Sequence, residues 1–197
     1  MDNICRLALH FGRSIKKPHL IGTVLEQHAS KNVSAEKKLQ VCDPGSGELI
    51  YTIPETTSEE IDKLLLASKQ CTASSFPTDH HQRQLALEKW AVLVGEHQDD
   101  IAVVLSLEGG KVYEEAVAEL DSVQSTIRSF ANYLSTKPDI LHKPTKKANA
   151  TIKHVPLGVH YCVTPWNFPA AMVSRKVCPP LAAGCPVIVK PDHRTPL

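Results

Sequence analysis

Apolar residues along the chain change their spacing near residue 138, from every third or fourth position to short contiguous runs. The two halves therefore predict different architectures. The longest periodic segment, residues 112–135, aligns Tyr113, Ala116, Val117, Leu120, Val123, Ile127, Phe130 and Leu134 on one stripe, which predicts a single amphipathic helix of about six turns. Residues 97–107, with Ile101, Val104 and Leu105, predict a second helix that Gly109-Gly110 ends. Residues 78–94, with Leu85, Ala86, Trp90, Leu93 and Val94 on one side, predict a third. Thr57-Ser58-Glu59-Glu60 has the form of a capping box, Thr57 bonding free amides and Glu60 bonding back, and opens a helix to about Gln70 whose apolar face begins Ile61, Leu64, Leu65. Ahead of it, residues 41–53 predict two short strands around a Pro44-Gly45 turn.

Pro138 closes the helical half, and Thr151 to His154 form an extended segment, one strand of a hairpin begun near Ile140. From Gly158 the order is an apolar strand (159–163), a Pro-rich turn (164–169), a helix (170–183), a glycine stop at Gly184 and a second apolar strand (186–189). Strand, helix, strand with apolar strands on both sides predicts a βαβ crossover and a parallel sheet covered on both faces. Two parallel strands do not bury both faces by themselves, so the pattern predicts further strands that residues up to Leu197 do not supply. The expected class is α/β: an amino-terminal helical layer followed by the first βαβ of a Rossmann-like parallel sheet, incomplete. The expected organisation is an amino-terminal extension (1–40), a hairpin and helical layer (41–137), oligomerisation-type strands (138–157) and the start of a nucleotide-binding fold (158–197).

Charge and composition narrow the partners. Twenty-two basic and 21 acidic residues are mixed along the chain, which leaves no basic face for a phosphate backbone and argues against nucleic acid. No apolar run approaches the roughly 20 residues that cross a bilayer, and residues 1–14 lack a signal-peptide core. The expected location is the cytosol. Arg6, Arg13, Lys16 and Lys17 give only a weak suggestion of a mitochondrial leader, against which Asp2 counts. Six scattered cysteines have neither CxxC pairs nor zinc spacing, so Cys162, Cys178 and Cys185 are expected in the core.

In an open α/β sheet, ligands sit beyond the carboxyl ends of the strands, where residues 164–169 and 190–195 fall. Thr164-Pro165-Trp166-Asn167-Phe168-Pro169 holds one carboxamide in a frame of two prolines and two aromatics. Such a frame suits a preorganised donor to a developing oxyanion; an isolated turn asparagine more commonly bonds its own backbone. Together with Arg175-Lys176, Leu181-Ala182-Ala183-Gly184, Val189-Lys190-Pro191 and Thr195-Pro196-Leu197, this segment is similar in order and spacing to the aldehyde dehydrogenase superfamily. The Asp43-Pro44-Gly45-Ser46-Gly47-Glu48 turn and Leu107-Glu108-Gly109-Gly110-Lys111, followed by Glu115 and Glu119, resemble the same family's earlier motifs. The resemblance runs from about Val41 to Leu197.

In that family a cysteine thiolate attacks the aldehyde, the adduct gives a hydride to the nicotinamide, and water, helped by a glutamate, releases the acid. The resemblance implies Asn167 as the oxyanion amide, Lys190 and Pro191 beside the adenosine ribose, and Thr164 and Trp166 along the dinucleotide path. The phrase Met172-Val173-Ser174-Arg175-Lys176 is most like the succinate-semialdehyde dehydrogenase branch. It implies that Arg175 holds the substrate carboxylate through two parallel donors. The family has an acidic residue three positions after its lysine, where this chain has His193. Losing that carboxylate and gaining Arg194 favours a 2′-phosphate, so the expected cofactor is NAD or NADP, with NADP favoured.

No nucleophile motif and no glutamate-base motif occur in these residues, and none of the six cysteines lies in a matching context. Gly109-Gly110-Lys111 lacks the flanks of a phosphate loop, and His80-His81 have no spaced partner for a metal. The expectation is therefore a portion of an NAD(P)-dependent aldehyde dehydrogenase, inactive alone, whose edge strands join homo- or hetero-oligomers. The alternative is a non-catalytic partner that associates with a full-length dehydrogenase.

Overall fold

The computed structural model describes residues 38–74, 79–136, 140–144 and 148–196. Expectations for most of the amino-terminal extension, including the leader and Cys5, lie outside these residues. Strands β1 (Lys38–Cys42) and β2 (Leu49–Pro54) pair antiparallel, with Leu39 opposite Ile53 and Val41 opposite Tyr51. Asp43 organises their turn, its Oδ1 accepting from Gly45 N at 2.9 Å and its Oδ2 from Ser46 Oγ at 2.7 Å. Helix α1 (Ser58–Ser74) begins with the predicted capping box. Glu60 N donates to Thr57 Oγ1 at 3.3 Å and Thr57 N to Glu60 Oε2 at 3.0 Å. Helices α2 (His80–Glu96), α3 (Gln98–Gly109) and α4 (Tyr113–Thr136) follow. A hairpin of β3 (Ile140–Pro144) and β4 (Asn149–Lys153) leads to the parallel unit β5 (His160–Val163), α5 (Pro169–Ala182) and β6 (Val187–Lys190).

The core forms where α4 lies against α2, α3 and α5. Ala116, Leu120, Val123, Ile127, Ala131 and Leu134 of α4 are buried against Leu87, Ala91 and Val94 of α2 and Ala171, Cys178 and Ala182 of α5. The α4 stripe is thus the one predicted. The α2 stripe is rotated: Leu85 and Leu93 are exposed, while Arg83, Leu87, Ala91 and Val94 are buried. The face turned inward packs Leu87, Ala91 and Val94 into the α4–α5 core and also carries Arg83, whose Nε donates to Ala182 O at 2.9 Å at the carboxyl end of α5. A guanidinium there meets both an unsatisfied carbonyl and the negative end of the helix dipole, a role that hydrophobic periodicity does not register. The expected apolar face of α1 is a second correction, for Ile61, Leu64 and Leu65 are all exposed. Among the described residues they are covered only in part.

A smaller cluster joins β1 and β2 to α3 through Val41, Ile50, Tyr51, Val103 and Leu107. Helix α3 is accordingly buried on two sides, with Ala102 and Leu105 facing α4. Tyr51 Oη donates to Glu108 Oε1 at 2.7 Å within this second cluster. Burial, then the Glu108 charge and hydrogen bond, push the Tyr51 phenol far above its ordinary value of 10.0. A raised pKa means the folded state holds the proton more tightly, so this contribution is complete below about pH 10 and is lost as the pH climbs above it. Urea unfolding between pH 8 and pH 11 should show a steeper alkaline loss of stability for the native chain than for Tyr51→Phe. Parallel curves would contradict this linkage.

Candidate active-site loops

The two expected loops lie side by side because β5 and β6 are adjacent and parallel, with Val163 opposite Lys190. Thr164 N donates to Lys190 O at 3.2 Å, extending the ladder into both loops. Across the gap the Arg194 guanidinium stands 4.8 Å from the Trp166 ring centroid, a cation–π contact. Arg194 also binds Asp192 through two bonds, Nε to Oδ1 at 2.9 Å and a terminal nitrogen to Oδ2 at 3.1 Å. The Arg194 hydrogen bond holds the Asp192 carboxyl at a pKa of about 2. Thr164, Trp166, Lys190, Pro191 and His193 are therefore assembled at one end of the sheet. Lys190 and His193 are exposed, and the His193 ring nitrogen is 3.5 Å from Asp192 Oδ1.

Asn167 is exposed near the end of the first loop, one residue ahead of the N-cap Phe168, after which Pro169 opens α5 as its first residue. Proline suits that position because its missing N–H would be unsatisfied there. Arg175 lies on the exposed side of α5, about 9 Å along the axis from Pro169 at 1.5 Å per residue. Two buried hydroxyls, Thr164 Oγ1 and Thr195 Oγ1, have no hydrogen-bond partner among the described residues. Orphaned buried hydroxyls beside an exposed lysine and an exposed tryptophan fit a polar ligand laid across the strand ends, as a dinucleotide would be.

Sequence reasoning missed the support beneath this loop. Lys111 Nζ bonds Glu119 Oε2 and donates to Asn167 O at 3.2 Å. Glu119 Oε1 accepts from Ala171 N at 2.9 Å. The sequence carried Lys111 and Glu119 as parts of a motif, but nothing in their spacing indicated that both reach a loop some 50 residues away.

Cys162, Cys178 and Cys185 are buried, as expected. Burial pushes the Cys178 thiol up to about 12 and raises Cys162 as well, with Lys176 opposing weakly. Both thiols are thereby held in the unreactive form. Under native conditions iodoacetamide should modify Cys42 and Cys71, which are exposed, and leave Cys162, Cys178 and Cys185, which are buried. Peptide mass spectrometry reads this directly, and rapid labelling of Cys178 would refute it.

Residues 31–197 match the aldehyde dehydrogenase family, and the chain belongs to that family. Its particular likeness is to the semialdehyde branch. It is 34% identical over 190 residues to succinate-semialdehyde dehydrogenase [NADP(+)] 2 of Schizosaccharomyces pombe, covering 92% of this chain and 38% of that protein. It is 36% identical over 163 residues to the succinate-semialdehyde dehydrogenase [NADP(+)] of Escherichia coli, covering 80% of this chain and 33% of that one. Among solved structures, betaine aldehyde dehydrogenase of Staphylococcus aureus in complex with NAD+ superposes with a TM-score of 0.77 at 28% identity, over 83% of this chain and 33% of that one. The chain thus spans little more than a third of its relatives.

Proposed function

We propose that this chain is the cofactor-side portion of an NAD(P)-dependent aldehyde dehydrogenase that oxidises succinate semialdehyde to the acid. The observation that carries this reading is the joined pair of loops, with Asn167 presented at the mouth of one and Lys190 at the root of the other. Lys190, Pro191 and His193 hold the adenosine end of the dinucleotide, and Thr164 and Trp166 hold its path. When bound, the dinucleotide supplies the hydride acceptor. The Asn167 amide donates to the oxygen that gains charge as the aldehyde carbon becomes tetrahedral. The Arg175 guanidinium, exposed on α5, takes the substrate carboxylate.

NADP is the favoured dinucleotide. The relatives named for NADP(+) support it, as does His193 where the family has a carboxylate. Because Arg194 is neutralised by Asp192, the preference rests on Lys190 and His193, and calorimetry in which NAD binds more tightly than NADP would sink it.

None of these 197 residues supplies the attacking thiolate, so the chain alone should give no NADPH above background with succinate semialdehyde and NADP. Turnover by the purified chain would overturn that part of the proposal. Reading the coding DNA beyond Leu197 tests the rest: a continuation carrying a cysteine motif should restore oxidation, and an extended protein still inert towards semialdehydes would refute the assignment.

A second reading has its own support. Tyr161 and Val163 of β5 are exposed, and β4 pairs only with β3 among the described residues. An uncovered apolar face and an open edge suit association with a full-length dehydrogenase or with another copy of this chain. Co-purification with a dehydrogenase subunit would favour that reading.

A further inference from the structure

We infer that Lys111 and Glu119 are positioning residues for the Asn167 loop, acting from beneath it as a charged brace. The inference rests on the reading of Asn167 as the oxyanion amide, whose directional task a fixed backbone would serve.

The brace starts at Gly110. Helix α3 ends there in a left-handed turn (φ 66°), with Gly110 N donating to Ser106 O at 2.9 Å. A β-carbon at this position would lie 2.8 Å from Pro44 Cγ. Backbone conformation and space thus both require glycine. The reversal, packed against the β1–β2 turn, sends Lys111 back toward α4 rather than out to solvent. Tyr113 Oη donates to Asp99 Oδ1 at 3.0 Å and ties the start of α4 to α3.

Lys111 makes three interactions that converge on one place. Its Nζ bonds Glu119 Oε2, donates to Asn167 O at 3.2 Å, and stands 4.8 Å from the centroid of the Phe168 ring. Its side chain is 11% exposed and that of Glu119 is 0% exposed. Glu119 uses its other oxygen for Ala171 N, one of the free amides in the first turn of α5. A residue of α4 thereby caps α5, and a residue of the α3–α4 link grips the peptide just before it. Lys111 acts on the Asn167 carbonyl and the Phe168 ring and Glu119 on the Ala171 amide, so neither engages the Asn167 side-chain amide. A carboxamide aimed at a developing charge must be preorganised to be effective, and a loop fastened on its inner side meets that need.

The arrangement also explains why a buried ion pair occurs here. Such pairs contribute little net stability compared with apolar residues of similar volume, whereas this one specifies where a loop of six residues sits.

The test is heteronuclear NMR on the full 197-residue chain, which needs no enzymatic turnover. In Lys111→Met the side-chain amide resonances of Asn167 should shift and broaden. Exchange at Met172 N, which donates to Phe168 O in the first turn of α5, should rise about tenfold as that turn opens locally. Exchange at Leu120 and Ile127 should stay as in the native chain. Lys111→Arg keeps the charge and should restore the native Asn167 signals. Glu119→Gln keeps an acceptor but frees Lys111, and should disturb Asn167 in the same way; it decides the matter if Lys111→Met does not fold.

Unchanged Asn167 resonances in a folded Lys111→Met protein would overturn the inference. So would equal disturbance by Met and Arg, or a loss of protection spread evenly over α4 and α5. None of these results bears on whether Asn167 stabilises an oxyanion. That is read separately, from kcat of Asn167→Ala in a catalytically complete protein.

Discussion

Glu119→Ala should destabilise the chain by about 3–5 kcal/mol, the range found when one member of a buried ion pair is removed. The carboxylate is completely enclosed, and its two oxygens serve different partners, Lys111 Nζ on one side and Ala171 N on the other. Truncation therefore leaves a largely buried ammonium without its counter-charge and a helix amide without an acceptor. Each omission carries a desolvation penalty that folding cannot recover elsewhere. The midpoint of urea unfolding measures the loss, provided the denaturant dependence is unchanged. Removing both charges in Glu119→Ala/Lys111→Met should recover a large part of it, because the stranded ammonium is gone. A single mutant within about 0.5 kcal/mol of native, the range of ordinary surface changes, would show that the pair is effectively solvated.

Leu120→Ala is expected to cost about 2–5 kcal/mol through the lost burial and the cavity left behind. Leu120 follows Glu119 on α4, is 1% exposed, and belongs to the cluster in which α2, α4 and α5 meet. Interiors are close-packed, so a shortened side chain at this junction leaves a void that its surroundings fill only in part. Leu85→Ala on α2 is the matched control, because Leu85 is exposed although its spacing resembles that of a core residue. It should change stability by less than about 0.5 kcal/mol. Equal effects of the two substitutions would mean that the buried stripe of α2 is misplaced.

The contrast between these leucines marks the boundary of what periodicity can convey. On α4 the apolar stripe is long and regular, so the facing side follows from helix geometry alone, and Leu120, Val123 and Ile127 are buried as predicted. On α2 apolar residues occur around much of the circumference, and several orientations match the pattern equally well. The orientation adopted buries Leu87, Ala91 and Val94 against α4 and α5 and carries Arg83 inward to bond Ala182 O, nearly a hundred residues away. The same holds for the loops. Asn167 and Lys190 were legible because short local frames surround them, and the strand–helix–strand order placed them at one sheet end. The Arg194–Trp166 stack and the Lys111 grip on Asn167 O involve side chains from separate elements, and nothing local distinguishes them from solvated charges.

The local pattern by itself determined the helices, their caps at Thr57 and Gly110, the parallel βαβ unit and the family to which the chain belongs. Each of these depends on residues a few positions apart, whose geometry is settled by backbone dihedrals and helix or strand repeat. Only the tertiary structure decided which face of α2 is inside, that Ile61, Leu64 and Leu65 of α1 stay exposed among the described residues, and that the Asn167 loop stands on a buried Lys111–Glu119 pair. Those outcomes turn on desolvating charges against partners distant in sequence. Their sign depends on whether a partner is present in three dimensions, which the order of residues does not encode locally.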